Sequence, residues 1–143
     1  MVWSCLVSIL PGMAQTEKLT DYVNPFVGTD GYGNVYPGAQ IPFGGIQISP
    51  DTDSRFYDAA SGYKYNHLTL MGFSLTHLSG TGIPDLGDFL FIPGTGEMKL
   101  EPGTHEDPDQ GYRSRYSHDK EWASPNYYAV ELADYGVKAE MTS

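Results

Sequence analysis

The chain has 143 residues, of which 40% are hydrophobic and 13% aromatic, and its 18 acidic residues outnumber its 8 basic ones. This composition excludes a disordered chain, which combines low hydrophobicity with high charge, and the length suffices for one domain with its own core. The formal net charge of −10 repels nucleic-acid phosphates and anionic membranes, so we expect neither as a partner. Neutral ligands such as sugars, or metal ions, fit this charge better.

Residues 1–14 are typical of a secretory signal peptide. Residues 2–10 form an apolar run that is too short to span a bilayer, and small residues then stand at the two positions that a signal peptidase recognises. We therefore expect cleavage before Gln15, although no Lys or Arg precedes the run; a buried first strand is the alternative. Cleavage removes Cys5, the only cysteine, so the mature chain has no disulfide and suits a secreted protein or one of a bacterial periplasm or cell surface.

Short runs of alternating residues, divided by Gly and Pro, predict a β protein. The chain contains 17 glycines and 10 prolines, and it has no helix-period stretch of useful length. Strands are predicted at 45–49 and 86–92, each ending at a proline, whereas 66–77 begins either as a short helix or in an extended conformation. Residues 128–133 and 137–142 alternate on either side of a short turn with Gly, which predicts a hairpin.

These short strands and turns together indicate an antiparallel β-sandwich. The last predicted strand reaches the final residues without a following turn or cap. Such a strand leaves an unpaired edge that requires a partner, so we expect the sandwich to be incomplete in this chain.

Two segments are dense in residues that build functional loops. Residues 24–39 form a glycine-rich segment that predicts a long loop of fixed shape, because Gly permits positive φ and Pro fixes φ. This segment matches neither GxGxxG nor GxxxxGK[ST] and has no nearby Lys, so nucleotide binding is disfavoured. Residues 72–88 hold one histidine, two carboxylates and four glycines. They predict either a rigid loop that presents His77, Asp85 and Asp88 to a polyhydroxylated ligand, or a loop whose own backbone groups are satisfied by such side chains.

The other histidines and acidic residues form no recognisable site. The four histidines have no metal-ligand spacing, and no GxSxG sequence surrounds Ser79 to support a serine hydrolase. Three close pairs of aspartates could be paired acids or calcium ligands, but turn and cap roles explain them better: Asp51/Asp53, Asp85/Asp88 and Asp107/Asp109. The loop that starts at Asp107 has His118 where an EF-hand requires Glu.

Taken together, the motifs of this chain resemble the N-terminal domain of family 92 glycoside hydrolases. They match in chain order at residues 21–29, 37–39, 42–44, 49–52, 72–74, 76–80, 87–88 and 112–117, followed by the closing hairpin. Such an ordered set is more specific than any single glycine-rich loop. The resemblance implies that residues 15–143 are part of an N-terminal β-sandwich domain, which precedes a larger helical (α/α)6 catalytic domain that this chain does not contain.

The resemblance also implies a secreted, calcium-dependent exo-α-mannosidase that removes mannose from the non-reducing ends of glycans with inversion. Its two catalytic carboxylates and most calcium ligands are expected in the helical domain, so no catalytic or metal-binding residue is assigned here. The N-terminal domain is expected to lend a loop to the glycan cleft, and its candidate substrate-binding residues are His77, Ser79, Gly80, Thr81, Gly82, Ile83, Asp85 and Asp88. A non-catalytic carbohydrate-binding or structural β-sandwich module is the alternative.

The chain departs from the family pattern at a few positions. Gly45 stands where the family more often has Met, and Leu75 stands where a second His is common. Ile83 occupies a position that we expect to vary within the family and to lie near the substrate. An aromatic side chain there would stack on a sugar, whereas Ile offers only apolar bulk, so the resemblance does not predict the linkage preference.

Overall fold

The computed structural model describes residues 17–41, 44–53, 57–80, 83 and 87–143, and the predicted signal peptide lies outside them. The strands in these residues are β1 (Ser49–Asp51), β2 (Thr69–Leu70), β3 (Gly72–Ser74), β4 (Leu90–Phe91), β5 (Ser114–Arg115), β6 (Glu121–Ser124), β7 (Tyr127–Leu132) and β8 (Val137–Thr142). Short 3-10 helices lie at Leu19–Tyr22, Tyr57–Ala59, Pro108–Gln110 and His118–Lys120. The described residues contain no α-helix, and none of their helices is long and apolar enough to cross a membrane.

The strands form three antiparallel sheets in the described part of the chain, ordered β1–β3–β4, β2–β5 and β6–β7–β8. In the first sheet Pro50 pairs with Phe73. An isolated bridge between Ala39 and Ile48 ties the end of the glycine-rich segment to the residue before β1. This all-β antiparallel architecture confirms the predicted fold class.

The β7–β8 hairpin confirms the clearest prediction from the sequence. Leu132 pairs with Val137 across the loop 133–136. A second hairpin joins β6 to β7 through a tight turn, in which Asn126 has a φ of +62°, a conformation that Asn adopts more easily than most residues. β7 is therefore the central strand of its sheet, and residues 128–130 are fully buried, although alternation predicted only one buried face.

Two predicted strands have different bounds. The first, expected at 45–49, is shifted to β1 and contains Pro50, which is tolerated because β1 is an edge strand. The second, expected across 86–92, is confined to β4 in the described residues. Residues 66–77 adopt the extended alternative as β2 and β3. Met71 separates these two strands, and its N–H donates at 2.8 Å to the carbonyl of the last residue of β1.

The hydrophobic core draws on all three sheets. Its buried residues are Tyr63, Leu70, Phe73, Tyr116, Tyr128, Val130, Leu132, Ala139 and Met141. Three of the nine are tyrosines, whose hydroxyl groups need hydrogen-bond partners when they leave water.

A buried carboxylate, that of Glu121 at the start of β6, accepts hydrogen bonds inside this core. The Tyr63 hydroxyl lies 3.0 Å and 3.1 Å from its two oxygens, and the Tyr128 hydroxyl donates to Oε1 at 2.5 Å. His118 Nδ1 lies 2.6 Å from Oε2. Burial raises the pKa of Tyr128 well above its ordinary value, and the charge of Glu121 raises it further, so this phenol stays protonated as a donor.

Candidate functional site

The two loop segments singled out in the sequence contact each other. The N–H of Gly80 donates to the Asn34 carbonyl at 2.6 Å, and the ring centroids of Tyr36 and His77 lie 5.0 Å apart. Both partners of the hydrogen bond have positive φ, 48° for Asn34 and 76° for Gly80, which Asn and Gly adopt with the least strain. We call residues 77–88 the rim segment, and the glycine-rich segment supports its first residues, 77–80.

Internal hydrogen bonds give the glycine-rich segment a defined shape. The Thr29 hydroxyl donates to the Phe26 carbonyl at 2.8 Å, and the Phe26 N–H donates to Asn24 Oδ1 at 3.0 Å. The Tyr65 N–H donates to the Thr29 carbonyl at 2.9 Å and connects the segment to the loop before β2. The support beneath the rim segment is thus preformed.

His77, the first residue of the rim segment, is only 6% exposed. Its Nδ1 lies 2.7 Å from the Gln47 carbonyl oxygen, which can only accept, so Nδ1 carries a hydrogen. Its Nε2 lies 2.9 Å from Asp51 Oδ1 and 3.0 Å from Ser74 Oγ. In this geometry His77 satisfies a backbone group that lies outside the loop 72–88, and its part in substrate binding stays a prediction.

Asp51 is the partner of His77, and the sequence had favoured a turn or cap role for it. The structure instead places Asp51 at the end of β1, where it is 4% exposed. Its Oδ2 is also buried and has no hydrogen-bond partner. A buried carboxylate is costly unless its charge is balanced, so the contact with His77 is important for the stability of this region.

The exposed part of the rim segment holds the other candidates that the structure describes. Ser79 and Gly80 are exposed, and Ile83 is 69% exposed. Asp88 is exposed as well, and its Oδ2 accepts a hydrogen bond from the Thr76 hydroxyl at 2.9 Å. A polyhydroxylated ligand can therefore reach these side chains. The predictions for Thr81, Gly82 and Asp85 fall outside the described residues.

A second cluster of polar side chains, which is only partly buried, adjoins β1. Sequence reasoning missed it. His105 Nδ1 lies 2.8 Å from Thr69 Oγ1, and its Nε2 lies 3.3 Å from Asp53 Oδ2. The ring of His67 lies 4.0 Å from that of His105 between centroids, and His67 Nδ1 lies 3.0 Å from Thr52 Oγ1. Spacing could not predict this pair of histidines, because they come from loops that meet only in the folded chain.

The described residues do not fit a calcium site. Calcium takes roughly six to eight oxygen ligands, several of them carboxylates. In the part of the chain that the structure describes, no group of three or more His, Cys, Asp or Glu side chains could hold a metal ion. The calcium that the resemblance implies stays a proposal for the whole protein.

Comparisons with known proteins give one consistent result. Residues 22–143 match the Glycosyl hydrolase family 92 N-terminal domain. An uncharacterized secreted glycosidase from Arthroderma benhamiae is 32% identical over 123 residues, which make up 85% of this chain and 15% of that protein. The solved structure of ccman5, a glycosyl hydrolase of the same family, has a TM-score of 0.63 and 34% identity and covers 79% of this chain and 14% of its own.

A second solved structure supports the fold alone, because its identity is low. The family GH92 inverting mannosidase BT2199 from Bacteroides thetaiotaomicron has a TM-score of 0.59 and 24% identity over 90% of this chain and 17% of its own. This chain thus spans between 14% and 17% of the length of these relatives. Since the domain match covers most of the sequence, the chain belongs to glycosyl hydrolase family 92 and corresponds to the N-terminal domain of that family.

Proposed function

We propose that the whole protein is a secreted α-mannosidase that releases mannose from the non-reducing ends of glycans, and that this chain forms one side of its glycan cleft. Hydrolysis is supported by the domain match, and the choice of mannose by the name of one relative. Secretion is supported by the name of another relative and by the predicted signal peptide. The observation that carries the role of this chain is the contact between the glycine-rich and rim segments, which presents exposed polar and apolar side chains on a preformed support.

The exposed rim side chains suit a sugar. The Asp88 carboxylate accepts hydrogen bonds from sugar hydroxyls, and the Ser79 hydroxyl both donates and accepts. Ile83 offers an apolar contact to the C–H face of a sugar ring. The hydrogen bond from Thr76 orients the Asp88 carboxylate before a ligand arrives, so less conformational freedom is lost on binding.

The bond-breaking groups are proposed to lie elsewhere in the whole protein. Inverting hydrolysis needs an acid that protonates the leaving oxygen and a carboxylate that activates water, with roughly 6.5–9.5 Å between them. We assign neither role to the described residues of this chain. Their part is to bind the glycan and orient it. Calcium dependence belongs to the proposal as well, and it rests on the family resemblance.

The purified whole protein is expected to release mannose from an α-linked mannobiose, with β-mannose as the anomer formed first. Proton NMR recorded during the first minutes distinguishes the two anomers before they interconvert. Removal of divalent cations with a chelator is expected to stop the release, and added calcium is expected to restore it. Binding of the disaccharide without any release of mannose would instead favour the carbohydrate-binding module.

In the whole protein, Asp88→Ala is expected to raise KM for the α-mannoside about tenfold, because a hydrogen bond to a charged group contributes about 1.5–3 kcal/mol. The kcat value is expected to change little, since this residue binds rather than reacts. Asp119→Ala is a control, because it removes another exposed aspartate, in the 3-10 helix His118–Lys120. Equal KM values for the two variants would place Asp88 outside the cleft.

A further inference from the structure

We propose that His77 and Asp51 are positioning residues: a doubly protonated imidazole, held between the Gln47 carbonyl and the Asp51 carboxylate, fixes the rim segment in place without touching the glycan. The kinetic consequences of this inference rest on the proposed function. Its structural consequences, which concern the order of the rim segment, do not.

The hydrogen-bond partners require a hydrogen on Nδ1 of His77 and another between His77 and Asp51. His77 Nδ1 faces a carbonyl oxygen at 2.7 Å and must carry a hydrogen. If Nε2 lacked one, its lone pair would face the lone pairs of Asp51 Oδ1 at 2.9 Å, and the buried carboxylate would have no counter-ion. A hydrogen on Nε2 removes both costs. The proposed pair carries this hydrogen on Nε2, as an imidazolium whose charge Asp51 balances.

Among the described residues, the other groups in contact with the imidazole are neutral. The Ser74 hydroxyl lies 3.0 Å from Nε2, and the Tyr36 ring packs against the imidazole with 5.0 Å between centroids. Burial raises the pKa of Tyr36, so its phenol remains uncharged. Asp51 is thus the counter-ion on which the charge of His77 depends in this set of contacts.

The pair joins the start of the rim segment to both ends of β1. Gln47 lies just before β1, and its N–H donates to the Leu75 carbonyl at 2.9 Å, while Asp51 is the last residue of the strand. His77 follows the end of β3 and reaches both of these positions through its two nitrogens. Because Gly80 comes three residues later and contacts the glycine-rich segment, a shift of His77 displaces the exposed part of the rim segment.

Gly62 shows how closely the pair is enclosed. Its φ is +87°, and a Cβ at this position would lie 2.1 Å from Asp51 Oδ1 and 3.1 Å from His77 Cδ2. Any side chain at this position would push the carboxylate away from the imidazolium. Gly62 lies outside the rim segment. Its replacement therefore disturbs the pair without changing any exposed side chain of that segment.

A double-mutant cycle in the whole protein tests the inference, using Asp51→Asn, His77→Phe and the double variant. His77→Phe is expected to raise KM for the α-mannobiose about tenfold, because it leaves a buried carboxylate without a counter-ion. Asp51→Asn keeps the shape, and its amide N–H can donate to Nε2 once His77 has lost its charge, so we expect a rise of only about threefold. The double variant is expected to raise KM by no more than His77→Phe alone, because it has no unbalanced carboxylate, and kcat is expected to stay within about twofold in all three.

Hydrogen exchange of peptides that cover residues 76–80 provides a readout that does not depend on activity. We expect faster exchange in His77→Phe and in Gly62→Ala, and a partial return of protection in the double variant. Gly96→Ala is the matched control, because Gly96 has a similar φ of +86° and no atom of the described residues lies within 4 Å of a Cβ placed there. If His77→Phe does not fold, the inference is tested by the exchange rates of the rim peptides in Asp51→Asn and Gly62→Ala, compared with the rate in this control.

Two results would overturn the inference. A double variant whose KM rises by the product of the two single rises, about thirtyfold, would mean that His77 and Asp51 do not act as a pair, and a loss of kcat at unchanged KM would exclude a positioning role. Unchanged exchange of the rim peptides in both His77→Phe and Gly62→Ala would also overturn it. If the unmodified whole protein hydrolyses no α-mannoside, the proposed function fails. The exchange measurements alone then test whether His77 and Asp51 hold the rim segment in place.

Discussion

Replacing Glu121 by alanine is expected to lower the free energy of local unfolding of the β6–β8 sheet by about 4 kcal/mol. The replacement removes the acceptor of the Tyr63 and Tyr128 hydroxyls and the partner of His118 Nδ1. Each buried donor that loses its acceptor costs roughly 1–3 kcal/mol. Water cannot easily take the place of the carboxylate, because Glu121 is only 6% exposed.

Amide hydrogen exchange of β7 in the whole protein measures this loss. Glu131→Ala is the matched control, since Glu131 lies on β7, is 40% exposed in its side chain and pairs with Lys120 at the surface. We expect this control to cost less than about 1 kcal/mol. Glu121→Gln, which still accepts hydrogen bonds but carries no charge, is expected to fall between the two. Similar exchange rates in Glu121→Ala and Glu131→Ala would show that the buried carboxylate is not required.

Gly38→Ala is expected to destabilise the junction between the glycine-rich segment and β1 by about 3 kcal/mol. A Cβ at position 38 would lie 2.1 Å from the Ile48 carbonyl oxygen and 2.4 Å from Ser49 Cα. Both are backbone atoms, so rotation of a side chain cannot relieve the overlap. The bridge between Ala39 and Ile48 must break or β1 must shift, and either change removes support from the rim segment.

Exchange of peptides that cover residues 38–51 reports the effect of Gly38→Ala. Gly45→Ala is the matched control, because no atom of the described residues lies within 4 Å of a Cβ placed at position 45. It is expected to be neutral or to stabilise by up to about 1 kcal/mol through a less flexible unfolded chain. Equal protection in the two variants would contradict the expected overlap at Gly38.

Local sequence patterns predicted those parts of the fold that depend on local interactions. The β7–β8 hairpin was predictable because its strands and turn are adjacent in the chain, and the glycine-rich segment because Gly and Pro set its shape directly. The position of Pro50 inside a strand was not predictable, since it depends on β1 being an edge strand. The burial of β7 on both faces likewise depends on its neighbours and not on its own alternation.

Local patterns did not predict the buried polar pairs of the candidate site and of the core. His77 and Asp51 are 26 residues apart, and Tyr63 and Glu121 are 58 residues apart. A sequence shows which side chains can donate or accept, but tertiary packing decides which of them meet. Asp51 at least lies within a motif that the family shares, at residues 49–52. No comparable pattern pointed to Glu121, because β6 itself was not predicted.

His77 points inward and holds the rim segment in place. A ligand would instead meet the exposed side chains of that segment. A directed-evolution library for a new glycan linkage would therefore vary the exposed positions Ser79 and Ile83, where substitutions need not disturb the fold. The same library would leave Asp51, Gly62 and His77 unchanged. Most substitutions at these positions would change the shape of the rim segment, so no new specificity could be selected.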